Sequence, residues 1–134
     1  MSQESVELAR AMHEAFNRGD TDFVVAQLHA DLEWEEDTAA FPGIEPLYCG
    51  PQGFAEWNRF ISESWEEFRA NPSELIDAGD DVVIASDVQA RGAGSGIDVT
   101  MQVHQIWTFR EGKLTRRRYF LNRDAALEAA GLRG

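Results

Sequence analysis

The stretch Val103-His104-Gln105-Ile106-Trp107-Thr108-Phe109, followed by Arg110-Glu111-Gly112 and then Lys113 to Leu121, decides the fold, because it reads as two β-strands folded back on each other. Val103, Gln105, Trp107 and Phe109 alternate with His104, Ile106, Thr108 and Arg110, the period of two that sends successive side chains to opposite faces of a strand. Glu111-Gly112 supplies the turn, since Gly accepts the positive φ of a tight hairpin. In the return strand, Arg116-Arg117-Arg118-Tyr119 sends at least one guanidinium to whichever face is buried. A buried Arg is costly without a partner.

Working upstream, Val6, Leu8, Ala9, Met12, Ala15 and Phe16 return to one face of a first helix, with Ser2 as its expected N-cap. Asn17-Arg18-Gly19-Asp20 ends it, and Asp20 or Thr21 caps a short second helix over about Asp22 to Leu28. Leu32 to Glu36 alternates as a strand. Residues 38 to 52 carry Pro42, Gly43, Pro46, Gly50 and Pro51 and read as a loop, with Pro51 fitting the first turn of a third helix. Phe54, Trp57, Ile61, Trp65 and Phe68 recur along that helix at spacings of three and four, an aromatic stripe that reads as core packing first and as a ligand wall second. Asn71-Pro72 closes it. Ser73 to Ala78, Val82 to Arg91, Ile97 to Arg110 and Lys113 to Leu121 then form a meander, with turns at Asp80-Asp81 and Gly92 to Gly96. A last short helix, Ala125 to Ala130, stops at Gly131. This order predicts an α+β fold in which helices pack on one face of a curved, antiparallel or mixed sheet.

The 134 residues suit a single domain, 1–134, and an apolar fraction of 43% suits a packed core. With 12 basic and 24 acidic residues the net charge is −12, a field that repels phosphate backbones and anionic membranes, so neither nucleic acid nor membrane is an expected partner. No apolar stretch approaches the ~20 residues needed to span a bilayer. The first residues lack a basic segment followed by an apolar run, and Cys49 is the single cysteine, which excludes an intrachain disulfide. A cytoplasmic protein is the resulting expectation.

Several of these segments resemble the nuclear transport factor 2-like superfamily, and within it the SnoaL-like polyketide cyclase and ketosteroid isomerase group. The segments are Phe16-Asn17-Arg18-Gly19-Asp20, His29-Ala30-Asp31-Leu32-Glu33-Trp34 and Tyr48-Cys49-Gly50-Pro51-Gln52-Gly53. Downstream they are Trp107 to Lys113, Tyr119, and Ala126-Leu127-Glu128-Ala129-Ala130-Gly131-Leu132. The resemblance implies a sheet curled into a cone whose mouth the helices close, with inward residues lining a small-molecule pocket and the outer sheet face available for a homodimer. If the bulky Trp107 and Phe109 point inward, so does Gln105, while His104 faces out and becomes an interface residue. Trp34 inward carries Leu32 and Glu36 with it. Matching the return strand to the isomerase pattern turns Thr115, Arg117, Tyr119 and Leu121 inward and Arg116 and Arg118 outward.

The resemblance places Glu36 where those isomerases keep a carboxylate base, which works with an oxyanion hole of Tyr and protonated Asp. Here that Tyr would fall at Met12 and that Asp near Gln105, so one donor is missing and the other is an amide, which argues against steroid isomerisation. What remains is Glu36 as a base, with Gln105, Tyr119 and Arg117 donating to a developing enolate oxygen. The alternative is that Arg117 neutralises Glu36 in a structural ion pair. Trp34, Met12, Trp57, Ile61, Trp107 and Leu121 are the expected ligand-binding wall. If the register shifts by one, every face inverts and His104 replaces Glu36 as the base. His29 reads as a structural hydrogen bonder and His13 as a helix-flank residue. The scattered histidines suggest no metal site, and no cofactor is expected. The expected function is binding of a small apolar carbonyl compound with cofactor-independent proton transfer of the isomerase, cyclase or dehydratase type. The rivals are a binding protein without turnover and an interaction domain.

Overall fold

A computed structural model describes residues 2–39 and 41–132. The elements are α1 (Ser2–Asn17), α2 (Thr21–Ala26), β1 (Leu28–Glu35), β2 (Leu47–Cys49) and α3 (Gly50–Ser64), followed by β3 (Trp65–Ala78), β4 (Asp81–Gly92), β5 (Asp98–Arg110), β6 (Lys113–Phe120) and α4 (Arg123–Ala129). One sheet runs in the order β2-β1-β6-β5-β4-β3. It is mixed, because β1 and β6 are parallel while the other pairs are antiparallel.

Local chemistry accounts for most of the element ends. Asp20 accepts a hydrogen bond from the Phe23 amide and caps α2, which stops at Ala26, before the expected end at Leu28. The capping role expected of the Ser2 side chain lies outside the described residues. Glu111 and Gly112 both have positive φ, at 55° and 75°, and Arg110 pairs with Lys113. Two successive positive-φ residues twist in the same sense as the flanking strands, so the β5–β6 hairpin closes with two residues.

Larger departures from expectation occur around α3, β1 and β2. The aromatic stripe does not continue along α3: the helix ends at Ser64, and Trp65 and Phe68 belong to β3. Their helical spacing is a coincidence of two residues. The long ladder from Trp65–Gly92 to Ala78–Asp81 wins, and Pro72 is tolerated because β3 is an edge strand. β1 begins earlier than expected, and the Pro- and Gly-rich loop contains the short strand β2.

The core lies between the concave face of the sheet and helices α1 and α3. It includes Met12, Leu32, Phe54, Ile84 and Leu114, all at or near zero exposure. Helix α4 departs from the expected one-sided arrangement: it packs on the outer face, where Ala126 meets Val83 and Ile106 beside Phe120 and Leu127. Ile106 is therefore fully buried although it points away from the cone.

Helix α3 approaches β2 closely at Gly53, where an added Cβ would sit 2.8 Å from the Tyr48 carbonyl carbon. A backbone neighbour cannot swing aside as a side chain can. Gly53→Ala is expected to destabilise the fold by about 1–3 kcal/mol, as overpacking does. Thermal unfolding checks this, and an unchanged Tm would mean the helix can retreat at no cost.

Candidate functional site

The polar centre is built where the parallel strands meet. Trp34 on β1 pairs with Arg117 on β6, and Arg117 pairs with Trp107 on β5, so all three side chains point into the cone. The chain leaves β1 at Glu35, and Glu36 follows with its carboxylate buried. Arg117 Nη2 reaches Glu36 Oε2 at 3.5 Å and Arg117 Nη1 donates to the Glu35 carbonyl at 2.5 Å. Trp57 Nε1 donates to Glu36 Oε2 at 2.6 Å, and the Asp37 amide donates to Oε1 at 3.1 Å. The guanidinium lies 4.2 Å from the Trp34 ring centre and 5.3 Å from that of Tyr119, within range of cation–π attraction.

A second chain of bonds orients Tyr119. Trp107 Nε1 donates to Gln105 Oε1 at 2.7 Å, which fixes the amide so that its NH₂ is the group left to bond the Tyr119 oxygen. Burial and the negative charge of Glu36 raise the Tyr119 pKa well above its usual value, so the phenol stays protonated as a donor. Trp34 Nε1 and Ser86 Oγ are buried with no hydrogen-bond partner.

These groups line a cavity of about 50 Å³ whose remaining wall is mainly aromatic. At 10–15 Å³ per water that is room for roughly four water molecules. Of the residues expected from sequence, Glu36, Gln105, Arg117 and Tyr119 all line it. So do Met12, Trp34, Trp57 and Trp107. Ile61 does not: it is buried one turn further along α3 and faces a separate groove beside Asn58 and Trp65. Leu121 does not either, because β6 ends at Phe120 and Leu121 is 91% exposed.

The alternation along β6 is also broken earlier. Thr108 pairs with Arg116 and Phe109 with Leu114, leaving Thr115 as a bulge whose hydroxyl donates to the Thr108 carbonyl. Leu114 takes the inward place expected of Thr115, and Arg117 is inward as expected. Arg116 and Arg118 face outward, toward Glu33, Glu35 and Asp81. His104 lies opposite Ala85 and Phe120 on the outer face and does not border the cavity. His29 Nδ1 accepts the Asp31 amide at 3.0 Å, a structural bond. Among the described residues no group of three or more His, Cys, Asp or Glu could hold a metal ion, and no helix is long and apolar enough to cross a membrane.

Two polar residues of the cavity wall, His13 and Ser86, were not among the expected site residues. His13 is buried, stacks on Trp107 with ring centres 4.6 Å apart, and has Nδ1 2.8 Å from the Ala9 carbonyl. Its signal was present in the spacing Val6, Ala9, His13, Phe16, which places an imidazole within the apolar stripe of α1. Ser86 interrupts the inward series Val82, Ile84, Val88 with a hydroxyl. Burial, and to a smaller extent the charge of Arg117, lower the His13 pKa from 6.5 to about 4. The unfolded imidazole therefore protonates near pH 6.5 and the folded one only near 4, so this group's contribution is intact above about pH 6.5 and is lost as pH falls toward 4. The loss is on the order of 3 kcal/mol. Unfolding midpoints across that interval should fall less steeply for His13→Phe than for the natural chain, and parallel slopes would contradict a neutral buried His13.

Residues 9–117 match the SnoaL-like domain family. No curated protein matches the chain. Among solved structures, TerC co-crystallised with polyporic acid is similar over 96% of this chain and 98% of its own, with 24% identity and a TM-score of 0.78. A nuclear transport factor 2-like protein of unknown function from Burkholderia pseudomallei gives 22% identity and a TM-score of 0.79, covering 96% and 97% of the two chains. A protein with a ketosteroid isomerase-like fold from Catenulispora acidiphila, in complex with trimethylamine, gives 15% identity and a TM-score of 0.74, covering 95% and 94%. Identities this low speak for the fold alone. The match over most of its length identifies the chain as a member of the SnoaL-like family, with a fold similar to that of nuclear transport factor 2-like proteins.

Proposed function

We propose that the cavity binds a compact, largely apolar carbonyl compound and that Glu36 moves a proton on it without a cofactor. The observation that carries this reading is the convergence of one carboxylate and several fixed donors on a single wall of an otherwise aromatic cavity. The carbonyl oxygen would accept from the protonated Tyr119 and from the unpartnered Trp34 Nε1. The Glu36 carboxylate would take a proton from the carbon next to the carbonyl, and the C–H electron pair would become the enolate double bond. Returning that proton to a conjugated carbon completes an isomerisation, and attack of the enolate carbon on a second carbonyl of the ligand, with the resulting alkoxide taking the proton back from Glu36, would be a cyclisation. Fixed donors aimed at the charge that develops need no rearrangement during the reaction. The small cavity restricts the ligand to about the size of one substituted ring, below the ~300–1,000 Å³ common for larger ligands.

A second reading, binding without turnover, is favoured by the bonds at Glu36. Both oxygens already accept hydrogen bonds, and Arg117 balances the charge. In either case the protein would be cytoplasmic and would pair through the outer sheet face near His104, over the area that α4 leaves open.

Acetophenone in D₂O separates the two readings. Proton transfer predicts protein-accelerated deuteration of its methyl group, and Glu36→Gln should slow this by about 10²–10⁴ with affinity held within a few-fold. Gln can still accept from Trp57 but no longer balances the Arg117 charge, so denaturant unfolding of the variant is measured beside its activity. Deuteration that persists in Glu36→Gln would remove Glu36 as the base, and binding without deuteration by the natural chain would establish the second reading. Arg117→Met should cost stability of about 3–5 kcal/mol by leaving Glu36 charged and buried, a loss that denaturant unfolding measures.

A further inference from the structure

The cavity wall is rich in donors and poor in available acceptors. Tyr119 and Arg117 present O–H and N–H groups, and Trp34 Nε1 has no partner. On the acceptor side, Glu36 Oε1 and Oε2 already receive the Asp37 amide, Trp57 and Arg117, and Gln105 Oε1 receives Trp107. Glu36 Oε1 and Gln105 Oε1 each keep one lone pair beyond those bonds, whereas Ser86 Oγ, which is buried and unpartnered, and His13 Nε2 receive no donor from the described residues.

The protonation of His13 follows from its bond to the helix. A backbone carbonyl can only accept, so Nδ1, 2.8 Å from the Ala9 oxygen, must carry the proton. In the neutral ring Nε2 then has the lone pair. Burial keeps the ring neutral, and the nearby Arg117 charge acts in the same direction. Nδ1 is hooked back onto α1, so Nε2 lies on the side of the ring away from that bond, in a ring that lines the cavity and stacks on Trp107. No described residue donates to Nε2. A phenylalanine would stack on Trp107 as well and would carry no acceptor in need of a donor.

We infer that His13 Nε2 is the hydrogen-bond acceptor for a hydroxyl on the ligand, so that the cavity selects compact hydroxylated rings, such as phenols and enols, over their ethers. This rests on the proposed use of the cavity as a ligand site and adds the functional group that the ligand must carry. Ser86 strengthens it independently: it is a second acceptor on the same wall, from a different element, where a third aliphatic side chain would have continued the series of β4. A ligand with one carbonyl and one hydroxyl would meet a donor with the first and an acceptor with the second. A site built to receive a hydroxyl rejects the analogue lacking it, because its own polar group is then left unpaired.

The test compares phenol with anisole, which has the same ring but cannot donate. NMR titration of the natural chain should give an affinity for phenol at least about tenfold tighter than for anisole, with the His13 Nε2 nitrogen resonance moving on phenol addition and not on anisole addition. His13→Phe should bring the two affinities together while anisole binding persists. Equal affinities in the natural chain, or an unmoved Nε2 resonance with phenol bound, would overturn the assignment without touching the cavity reading. That reading itself fails if neither probe shifts the cavity resonances of Trp34 and Trp107. The Nε2 measurement needs no variant, so it decides the matter even if His13→Phe does not fold.

Discussion

Arg117 brings a full positive charge into an interior that excludes water, and the elements around it are arranged to make that tolerable. Removing such a charge from water costs several kcal/mol even after relaxation. The offset comes from the Glu36 carboxylate, the Glu35 carbonyl and the faces of Trp34 and Tyr119. Those partners come from the end of β1 and from β6, and Trp57 of α3 is tied in through the same carboxylate oxygen. One buried pair therefore couples the parallel β1–β6 junction, the chain's exit from β1 and the docking of α3. The pair stands at the border of the cavity, so the interaction that orders the fold also makes one wall of the site polar.

This coupling explains how a chain of mostly apolar packing presents so defined a pattern of hydrogen-bonding groups. Gln105 has its amide turned by Trp107 and in turn holds Tyr119. Each link is a side chain on the concave face of β5 or β6, and the antiparallel register sets Gln105 directly against Tyr119. Chains of this type polarise one another in a low-dielectric interior, and any member left unpaired is expensive. Of the three buried, unpartnered side-chain atoms among the described residues, Trp34 Nε1 and Ser86 Oγ belong to residues that border the cavity, where a ligand could satisfy them, while Arg118 Nε lies on the outer side.

Alternation along β5 was enough to assign its faces, because Val103 to Phe109 runs without a bulge and its large side chains leave one arrangement that buries them. The same rule failed twice on β6, where a bulge at Thr115 reset the phase and the strand ended before Leu121. A bulge is set by tertiary pairing and leaves no mark in periodicity. Trp65 and Phe68 misled in the opposite way, since a strand that follows a helix can continue its apolar spacing for a few residues by chance. Glu36 and Arg117 were legible as neighbours through the resemblance and the alternation together. Their shared bond to Trp57 was not, because a helix's rotation over a sheet depends on packing across the whole core. His13, expected on the flank of α1, is buried in its apolar stripe, a position that the spacing Val6, Ala9, His13, Phe16 allows.

The central claim is that the aromatic cavity behind Arg117 is a ligand site. The most direct measurement follows the four indole N–H signals of the ¹⁵N-tryptophan-labelled chain by NMR as acetophenone is added. Trp34, Trp57 and Trp107 line the cavity, whereas Trp65 lies on the separate groove. Saturable shifts are expected at the first three, largest at the unpartnered Trp34, with Trp65 unmoved. Shifts confined to Trp65, or none at any indole up to the solubility of the ketone, would contradict it.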